Sequence, residues 1–180
     1  MQSPIQILDK SFKIYIEEKQ ILEKITTLGK IISEEYKDKN PILVSILNGS
    51  FMFTSDLMKS ITIPCEVSFV KLASYHGTQS TGEVKTVMGL ENNIQGRHVM
   101  VIEDIIDTGN TLAAFLPQLE KLNPASISLV CLISKPKALK QPIQIDKTCF
   151  EIPNDFIVGY GLDYDGYGRN LRDIYILAES

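Results

Sequence analysis

The chain has 180 residues, 44% of them hydrophobic and 22% charged, which is typical of a globular protein that buries a substantial core. A net charge of −4 at pH 7 excludes an overall basic field for nucleic acid and leaves only a local basic patch as a route to it. The N-terminus lacks a signal-peptide pattern, and no apolar run has the length of a membrane span. We therefore expect one domain over residues 1–180, in the cytoplasm, that binds neither membrane nor nucleic acid.

Helical and strand patterns alternate along the chain. Apolar residues from Ile21 to Ile32 recur at spacings of four, three and four residues, which predicts an amphipathic helix over about residues 14–37. Strands are predicted over residues 42–47, 65–73, 85–90, 98–102 and 126–133, of which 42–47, 98–102 and 126–133 read as buried. Helices are predicted over residues 51–60 and 111–122, the second of which contains Pro117, and a polar loop over residues 76–82. Short strands and turns are predicted beyond them.

The three cysteines, Cys65, Cys131 and Cys149, are odd in number and lie within apolar segments. This pattern is typical of small, reduced core side chains rather than of a disulfide or a metal site.

Buried strands that alternate with helices predict an α/β domain with a mainly parallel, twisted sheet flanked by helices. Ligands of such sheets bind beyond the carboxyl ends of the strands. Three segments follow those ends: N-G-S at 48–50, E-D-I-I-D-T-G-N-T at 103–111 and S-K-P-K at 134–137. We expect all three to lie at one rim of the sheet.

The stretch V-I-E-D-I-I-D-T-G-N-T, residues 101–111, admits two chemistries. Asp-Thr-Gly after an apolar pair is the half-site signature of an aspartic protease. That class needs an all-β context, a second acidic half-site and usually Ser or Thr after the glycine, where this chain has Asn110. The predicted α/β context opposes it.

The second chemistry is phosphate binding at the turn formed by residues 108–111. Free backbone N–H groups and the helix dipole favour an anion where a strand leads into a helix, and Gly109 permits close backbone approach. Neither a nucleotide-triphosphate loop nor a dinucleotide fingerprint occurs in the sequence. Glu103 and Asp104 would repel a phosphate unless sugar hydroxyls or Mg²⁺ lie between them. The segment therefore suits a ribose 5′-phosphate, and a solvated acidic loop with a helix N-cap is the alternative.

Five segments in family order resemble hypoxanthine phosphoribosyltransferases, the purine branch of the type I phosphoribosyltransferases. Residues 101–111 resemble the motif that binds phosphoribosyl pyrophosphate (PRPP), and S-I-L-N-G-S-F-M-F at 45–53 resembles the pyrophosphate loop. A-S-Y-H-G-T-Q-S-T-G-E-V at 73–84 resembles the mobile active-site loop. L-I-S-K-P at 132–136 and D-F-I-V-G-Y-G-L-D-Y-D-G-Y-G-R-N-L at 155–171 resemble the purine-side lysine segment and the C-terminal substrate segment.

The resemblance implies the type I phosphoribosyltransferase fold, with a small hood built from the N- and C-terminal segments. It implies transfer of ribose 5-phosphate from PRPP to a 6-oxopurine, hypoxanthine and also guanine, with Mg²⁺ as cofactor and a homodimer or homotetramer as the assembly. Asp107 matches the general base near the purine N7, while Glu103 and Asp104 match the groups that hold the ribose hydroxyls directly or through Mg²⁺. The expected 5′-phosphate ligands are Thr108, Gly109, Asn110 and Thr111.

Further site residues follow from the same resemblance. The expected pyrophosphate ligands are Asn48, Gly49, Ser74, Tyr75 and Arg169. The expected purine-side groups are Lys135 as the donor to O6, Phe156 as the stacking ring, Ile157 through its backbone, and Asp163, which also matches a group that helps hold Mg²⁺. The family pattern further implies a cis peptide at Leu47–Asn48 and a lid over residues 74–82 that closes on PRPP.

Each of these positions has a plainer alternative. Lys135 alone indicates a surface charge, Phe156 a core residue, Asp163 with Arg169 a surface ion pair, and residues 74–82 a disordered connection. Two other functions also stay open: a pyrimidine-type relative that binds RNA, and a non-catalytic sensor of PRPP or a nucleotide. The RNA-binding relative would need a basic face and would lack the purine-side segments.

Overall fold

The computed structural model describes residues 3–74, 84–90 and 92–178. Strands and helices alternate through these ranges, with one short 3₁₀ helix at Pro136–Ala138. In chain order the elements are β1 (Ile5–Ile7), β2 (Lys10–Ile16), α1 (Glu18–Glu35), β3 (Ile42–Leu47), α2 (Phe51–Ser60), β4 (Glu66–Ser74), β5 (Val84–Met88), β6 (His98–Ile106), α3 (Asn110–Glu120), β7 (Ser126–Ser134), β8 (Lys147–Glu151), β9 (Ile157–Val158) and β10 (Ile174–Leu177).

The larger sheet has the strand order β5-β4-β3-β6-β7-β8. The five strands from β4 to β8 in this order pair in parallel, and β5 adds an antiparallel edge next to β4. The central strands are apolar runs because both of their faces are covered, as the uninterrupted burial of residues 42–46 illustrates. The predicted α/β architecture with a mainly parallel sheet is confirmed.

Helices cover both faces of this sheet. On one face, α1 and α2 bury Ile21, Ile25 and Leu57 in a core that includes Met100 and Ile102 of β6. On the other face, α3 buries a second apolar set against the alternate residues of the same strands, with Leu112, Phe115 and Leu119 facing Val99 and Val101. Apolar packing on both faces therefore holds β6 in place, and the carboxyl half of β6 carries Glu103 and Asp104.

A second, smaller sheet joins the two ends of the described chain, in the antiparallel order β1-β2-β10-β9. Phe12, Val158 and Tyr175 form its apolar centre. The N–H of Glu18, at the start of α1, donates to Asp173 Oδ1 at 2.7 Å and so ties this sheet to the larger one. The predicted hood of N- and C-terminal segments is present.

The predicted helix over residues 14–37 began too early. Residues up to Ile16 form β2, and Ile14 and Ile16 pair with β10. The helix starts at Glu18, where the backbone N–H of Glu17 donates to the side chain of Gln20 at 3.1 Å. The segment K-S-F-K-I-Y-I alternates between buried and exposed side chains, and this period of two is the strand signal that the helix prediction missed.

Two expectations from composition can also be compared with the structure. Cys65, Cys131 and Cys149 are free thiols, the last two buried and Cys65 half-buried. Among the helices described, none combines the length and the apolar character needed to cross a membrane.

Candidate active site

Three segments meet at the carboxyl end of the parallel sheet. β3 lies between β4 and β6, and β6 pairs with β7 as far as Ile106 and Ser134. The N–H of Lys135 then donates to the carbonyl of Ile106 at 2.9 Å. Residues 48–50, 107–111 and 135–137 therefore emerge at one rim, as predicted from the alternation of strands and helices.

Glu103 and Asp104 lie within a strand, because β6 continues to Ile106 rather than ending at residue 102. The sequence interpretation had placed both carboxylates in the loop. Their place inside a paired strand, where both are only partly exposed, rules out the alternative of a solvated acidic loop, and the N-cap of α3 is Gly109.

The two carboxylates have different neighbours. Glu103 lines a small cleft of about 100 Å³ together with the turn at 107–111, and its Oε2 is buried without a hydrogen-bond partner among the described residues. Burial, and next to it the charge of Asp104, raises the pKa of Glu103 well above its usual range. An orphaned buried carboxylate oxygen is costly, so this atom needs a ligand or a proton.

Asp104 faces residues 47–50, which we call the pyrophosphate loop after the family segment that they resemble. Its Oδ1 accepts a hydrogen bond from the N–H of Ile105 at 2.8 Å. Burial raises the pKa of Asp104 to about 6, against opposing contributions from backbone hydrogen bonds and the charge of Arg169. A Cβ atom on Gly49 would lie 1.5 Å from Asp104 Oδ2, so any larger residue there would displace the Asp104 side chain or the loop.

The pyrophosphate loop contains the expected cis peptide at Leu47–Asn48. Asn48 is exposed, and Gly49 and Ser50 are buried. Beneath them, the Ser45 hydroxyl hydrogen-bonds to those of Ser50 and Thr54, both at 2.7 Å. This buried hydroxyl cluster joins the end of β3 to the first turn of α2 and so holds the loop from below.

The turn at 107–111 is built around a glycine with a left-handed backbone. Gly109 has φ +78°, and a Cβ atom there would approach Ile143 Cδ1 to 2.8 Å. Both the left-handed backbone and the close approach favour glycine. Gln141 Nε2 donates to Asn110 Oδ1 at 2.9 Å, which fixes the outer side of the turn. Free N–H groups of the first turn of α3 remain available to an anion.

Lys135 is buried, with 7% of its surface exposed, and its Nζ lies 3.9 Å from Asp107 Oδ2. The alternative of a surface charge is therefore wrong. Asp107 is nearly half exposed and opens towards solvent. The end of β6 thus presents a carboxylate and the end of β7 a buried ammonium group, side by side at the rim.

Phe156, directly before β9, is 43% exposed and is no core residue. Its ring lies 6.1 Å from that of Phe12 and meets the edge of Tyr164 at 5.6 Å. Sequence reasoning missed both partners, since Phe12 comes from the other end of the chain. Ile157 is buried in β9, where it pairs with Ile176.

Asp163 and Arg169 form an ion pair at 2.7 Å, as the plainer alternative predicted. Arg169 Nη1 also donates to the carbonyl of Gly161 at 2.8 Å, and Asp163 Oδ2 accepts from the N–H of Gly166. Both charges act on the pKa of Asp104, so the pair lies close to the acidic segment.

The predicted lid over residues 74–82 cannot be described in full. Tyr75 lies outside the described residues, and of Ser74 the structure describes the backbone, which pairs with Val84 at the end of β4.

Within residues 3–74, 84–90 and 92–178, no three His, Cys, Asp or Glu side chains are placed to hold a metal ion together. Glu103, Asp104 and Asp163 are thus not a preformed cluster. Mg²⁺ usually takes one or two carboxylates and completes its octahedron with water and substrate phosphates. The orphaned oxygen of Glu103 and the buried carboxyl of Asp104 fit that mode of binding.

Comparison with known proteins assigns the chain to a family. Residues 13–165 match the family model described as "Phosphoribosyl transferase domain". The hypoxanthine-guanine phosphoribosyltransferase of Lactococcus lactis subsp. lactis is 41% identical over 172 residues, which cover 94% of this chain and 93% of that protein. The chain belongs to the hypoxanthine-guanine phosphoribosyltransferase family.

Solved structures agree with membership in this phosphoribosyltransferase family. A hypoxanthine phosphoribosyltransferase from Staphylococcus aureus superposes with a TM-score of 0.88 at 38% identity, covering 92% of this chain and 91% of that one. The Trypanosoma cruzi hypoxanthine phosphoribosyltransferase in complex with the product IMP gives 0.87 at 34% identity, covering 97% and 98%. The type I phosphoribosyltransferase fold expected from the sequence is confirmed.

Proposed function

We propose that the protein is a purine salvage enzyme that transfers the 5-phosphoribosyl group from PRPP to hypoxanthine, and also to guanine. The products are IMP or GMP and pyrophosphate. The observation that carries the proposal is the pairing of Asp107 with a buried Lys135 at 3.9 Å, at the rim formed by residues 48–50, 107–111 and 135–137. A 6-oxopurine needs both a donor to its O6 and an acceptor for its proton.

Asp107 is the proposed general base. As a purine nitrogen forms its bond to C1′ of the ribose, the bond from C1′ to pyrophosphate breaks and the purine loses a proton to the Asp107 carboxylate. Proton transfer to a positioned side chain contributes about 10²–10⁴ to a rate. The negative charge of Asp107 also favours the positive charge that develops on the sugar.

Lys135 is the proposed donor to O6 of the base. Because its ammonium group is almost completely buried, water competes little for its hydrogen bonds. Phe156 would stack on the purine, since its ring is exposed and held at its edge by Tyr164. Ile157 would contribute backbone groups, and Asp163 would complete the purine side.

The phosphate groups of PRPP are assigned to two turns. Residues 108–111 would bind the 5′-phosphate through backbone N–H groups and hydroxyls at the start of α3. Asn48 and Gly49 would bind pyrophosphate through the backbone, with Arg169 as the charged partner. Ser74 and Tyr75 stay predicted contacts of pyrophosphate.

Mg²⁺ is the proposed cofactor. Glu103 and Asp104 would hold it or the ribose hydroxyls, directly or through water, with Asp163 nearby. When bound, the ion neutralises the charge of the phosphate oxygens. We further propose that residues 1–180 act as one phosphoribosyltransferase domain, in the cytoplasm, as a homodimer or homotetramer.

The test is steady-state turnover with four bases, hypoxanthine, guanine, xanthine and adenine, each with PRPP and Mg²⁺. We expect the highest kcat/KM for hypoxanthine or guanine. Omission of PRPP and addition of a chelator are the controls, and both should abolish product. Adenine as the best substrate would refute the 6-oxopurine assignment, and binding of PRPP without turnover of any base would favour the sensor.

A further inference from the structure

Tyr160 combines deep burial with an unusual backbone. It is 1% exposed and has φ +49°, between Gly159 at +104° and Gly161 at +100°. A bulky residue in the left-handed region costs free energy, and it persists where the surrounding structure fixes it. The turn around Tyr160 therefore needs an anchor.

The anchor is Asp56 on α2, the helix that follows the pyrophosphate loop. The Tyr160 hydroxyl donates to Asp56 Oδ2 at 2.5 Å, across 104 residues of sequence. Burial, and then this hydrogen bond with Asp56, raises the pKa of Tyr160 far above its usual range, so the phenol stays a neutral donor. Asp56 Oδ1 accepts from the exposed Lys59 at 2.8 Å, so its two oxygens have separate partners.

The residue after Tyr160 touches the pyrophosphate loop. A Cβ atom on Gly161 would lie 2.1 Å from the carbonyl oxygen of Gly49, so the two backbones are in direct contact. Gly161 also exchanges hydrogen bonds with Arg169, through its N–H at 3.0 Å and its carbonyl at 2.8 Å. A shift of Tyr160 would therefore move Arg169 relative to Gly49.

We propose that Tyr160 and Asp56 are positioning residues that set the separation between Arg169 and the backbone of the pyrophosphate loop. The proposal rests on the proposed function, since it takes that loop and Arg169 as the pyrophosphate site. It assigns the hydrogen bond a role in binding PRPP and pyrophosphate, and not in binding the purine. The purine-side groups have contacts of their own: the N–H of Lys135 donates to the carbonyl of Ile106, and the Phe156 ring packs against those of Phe12 and Tyr164.

The decisive variant is Tyr160→Phe, which keeps the ring in the core and removes the hydroxyl. A hydrogen bond to a charged group contributes enough free energy that displacement of the loop after its loss can change a binding constant by about tenfold. We expect the KM for PRPP and the Kd for pyrophosphate with Mg²⁺ to rise about tenfold. The KM for hypoxanthine should change less than about twofold. Calorimetry gives the Kd, and steady-state kinetics give both KM values.

Asp56 supplies the matched variants. Asp56→Ala should reproduce Tyr160→Phe, and the double variant should be no worse than Asp56→Ala alone, because both changes remove one interaction. Asp56→Asn keeps an acceptor for the phenol and should retain most of the affinity. Lys59→Met removes the other partner of Asp56 and should leave both constants at the wild-type value.

Two results would overturn the proposal. One is an equal loss of affinity for PRPP and hypoxanthine, which indicates general distortion. The other is unchanged pyrophosphate binding in folded Tyr160→Phe or, if that variant does not fold, in Asp56→Asn and Asp56→Ala alike. Wild-type turnover is measured first, so a wild-type protein that binds pyrophosphate but makes no IMP would contradict the proposed function and leave this inference standing.

Discussion

At the scale of single residues, burial decides the chemistry at the rim. Lys135 is a buried ionisable side chain just beyond β7, and Glu103 in the adjacent strand β6 has one buried carboxylate oxygen. A buried ionisable group that lacks a full set of partners destabilises the fold, and such groups cluster at functional sites. We therefore predict a distinct effect for replacement of each of these two residues.

Replacement of Lys135 by Met should damage recognition of the base and spare PRPP. Met fills similar volume and removes the donor that is proposed for O6, so we expect the KM for hypoxanthine to rise about 10- to 100-fold. The KM for PRPP should stay near the wild-type value. Lys137→Met is the control, since Lys137 is exposed in the 3₁₀ helix that directly follows Lys135. A larger effect on PRPP than on hypoxanthine would argue against this role.

Replacement of Glu103 by Gln should stabilise the metal-free protein while it impairs activity. The raised pKa means that folded Glu103 binds its proton more tightly than the unfolded chain does. The free energy of unfolding of the wild type therefore decreases as pH rises from the ordinary carboxyl pKa through the raised pKa of folded Glu103. Glu103→Gln should show a smaller decrease over the same pH range. Thermal melting in EDTA at pH 5 and pH 8 measures both proteins. A variant with the same pH dependence as the wild type would contradict a charged, orphaned Glu103.

At the scale of elements, the site depends on contacts between backbone segments. The pyrophosphate loop after β3 meets the end of β6 at Gly49 and the turn after β9 at Gly161. Neither contact leaves room for a side chain, so the geometry of the site is built from glycines as much as from charges.

Gly49→Ala tests this packing. The added methyl group would overlap Asp104 Oδ2, and the shift needed to relieve the overlap should cost about 1–3 kcal/mol. We expect a 10- to 100-fold loss in kcat/KM for PRPP, from displacement of the loop. Gly89→Ala is the matched control, because an added Cβ atom at Gly89 meets nothing within 4 Å. Equal activity of the two variants would show that the contact is unimportant.

Strands and helices were predictable from the sequence wherever the apolar residues followed a single pattern, either a continuous run or a helical spacing. The buried strands 42–47 and 126–133 and the helix at 51–60 match the structure almost to the residue. The start of α1 and the end of β6 were not predicted, since both depend on pairing with distant strands. The spacing of apolar residues in a helix does not indicate that Ile14 and Ile16 pair with β10. The acidic residues at 103–104 suggested a loop, although β6 continues there and pairs with β7.

At the scale of the whole molecule, the hood and the larger sheet contribute different groups to the proposed site. The larger sheet supplies Asp107 and Lys135, and the hood with its adjoining turn supplies Phe156 and Arg169. The sequence motifs predict a role for each of the four, because each lies in a segment that resembles the family. The anchors between the layers, Tyr160 on Asp56 and Asp173 on the start of α1, join residues more than a hundred positions apart and left no signal in the sequence.

The central claim is that Asp107 acts as the general base in transfer of the phosphoribosyl group to a 6-oxopurine. The most direct measurement is the rate at which wild type and Asp107→Asn form IMP from PRPP and hypoxanthine with Mg²⁺. Asn keeps the shape and cannot accept the proton, so we predict a fall in kcat of about 10²–10⁴ with modest changes in KM. Near-normal turnover by Asp107→Asn would contradict the assignment of the base.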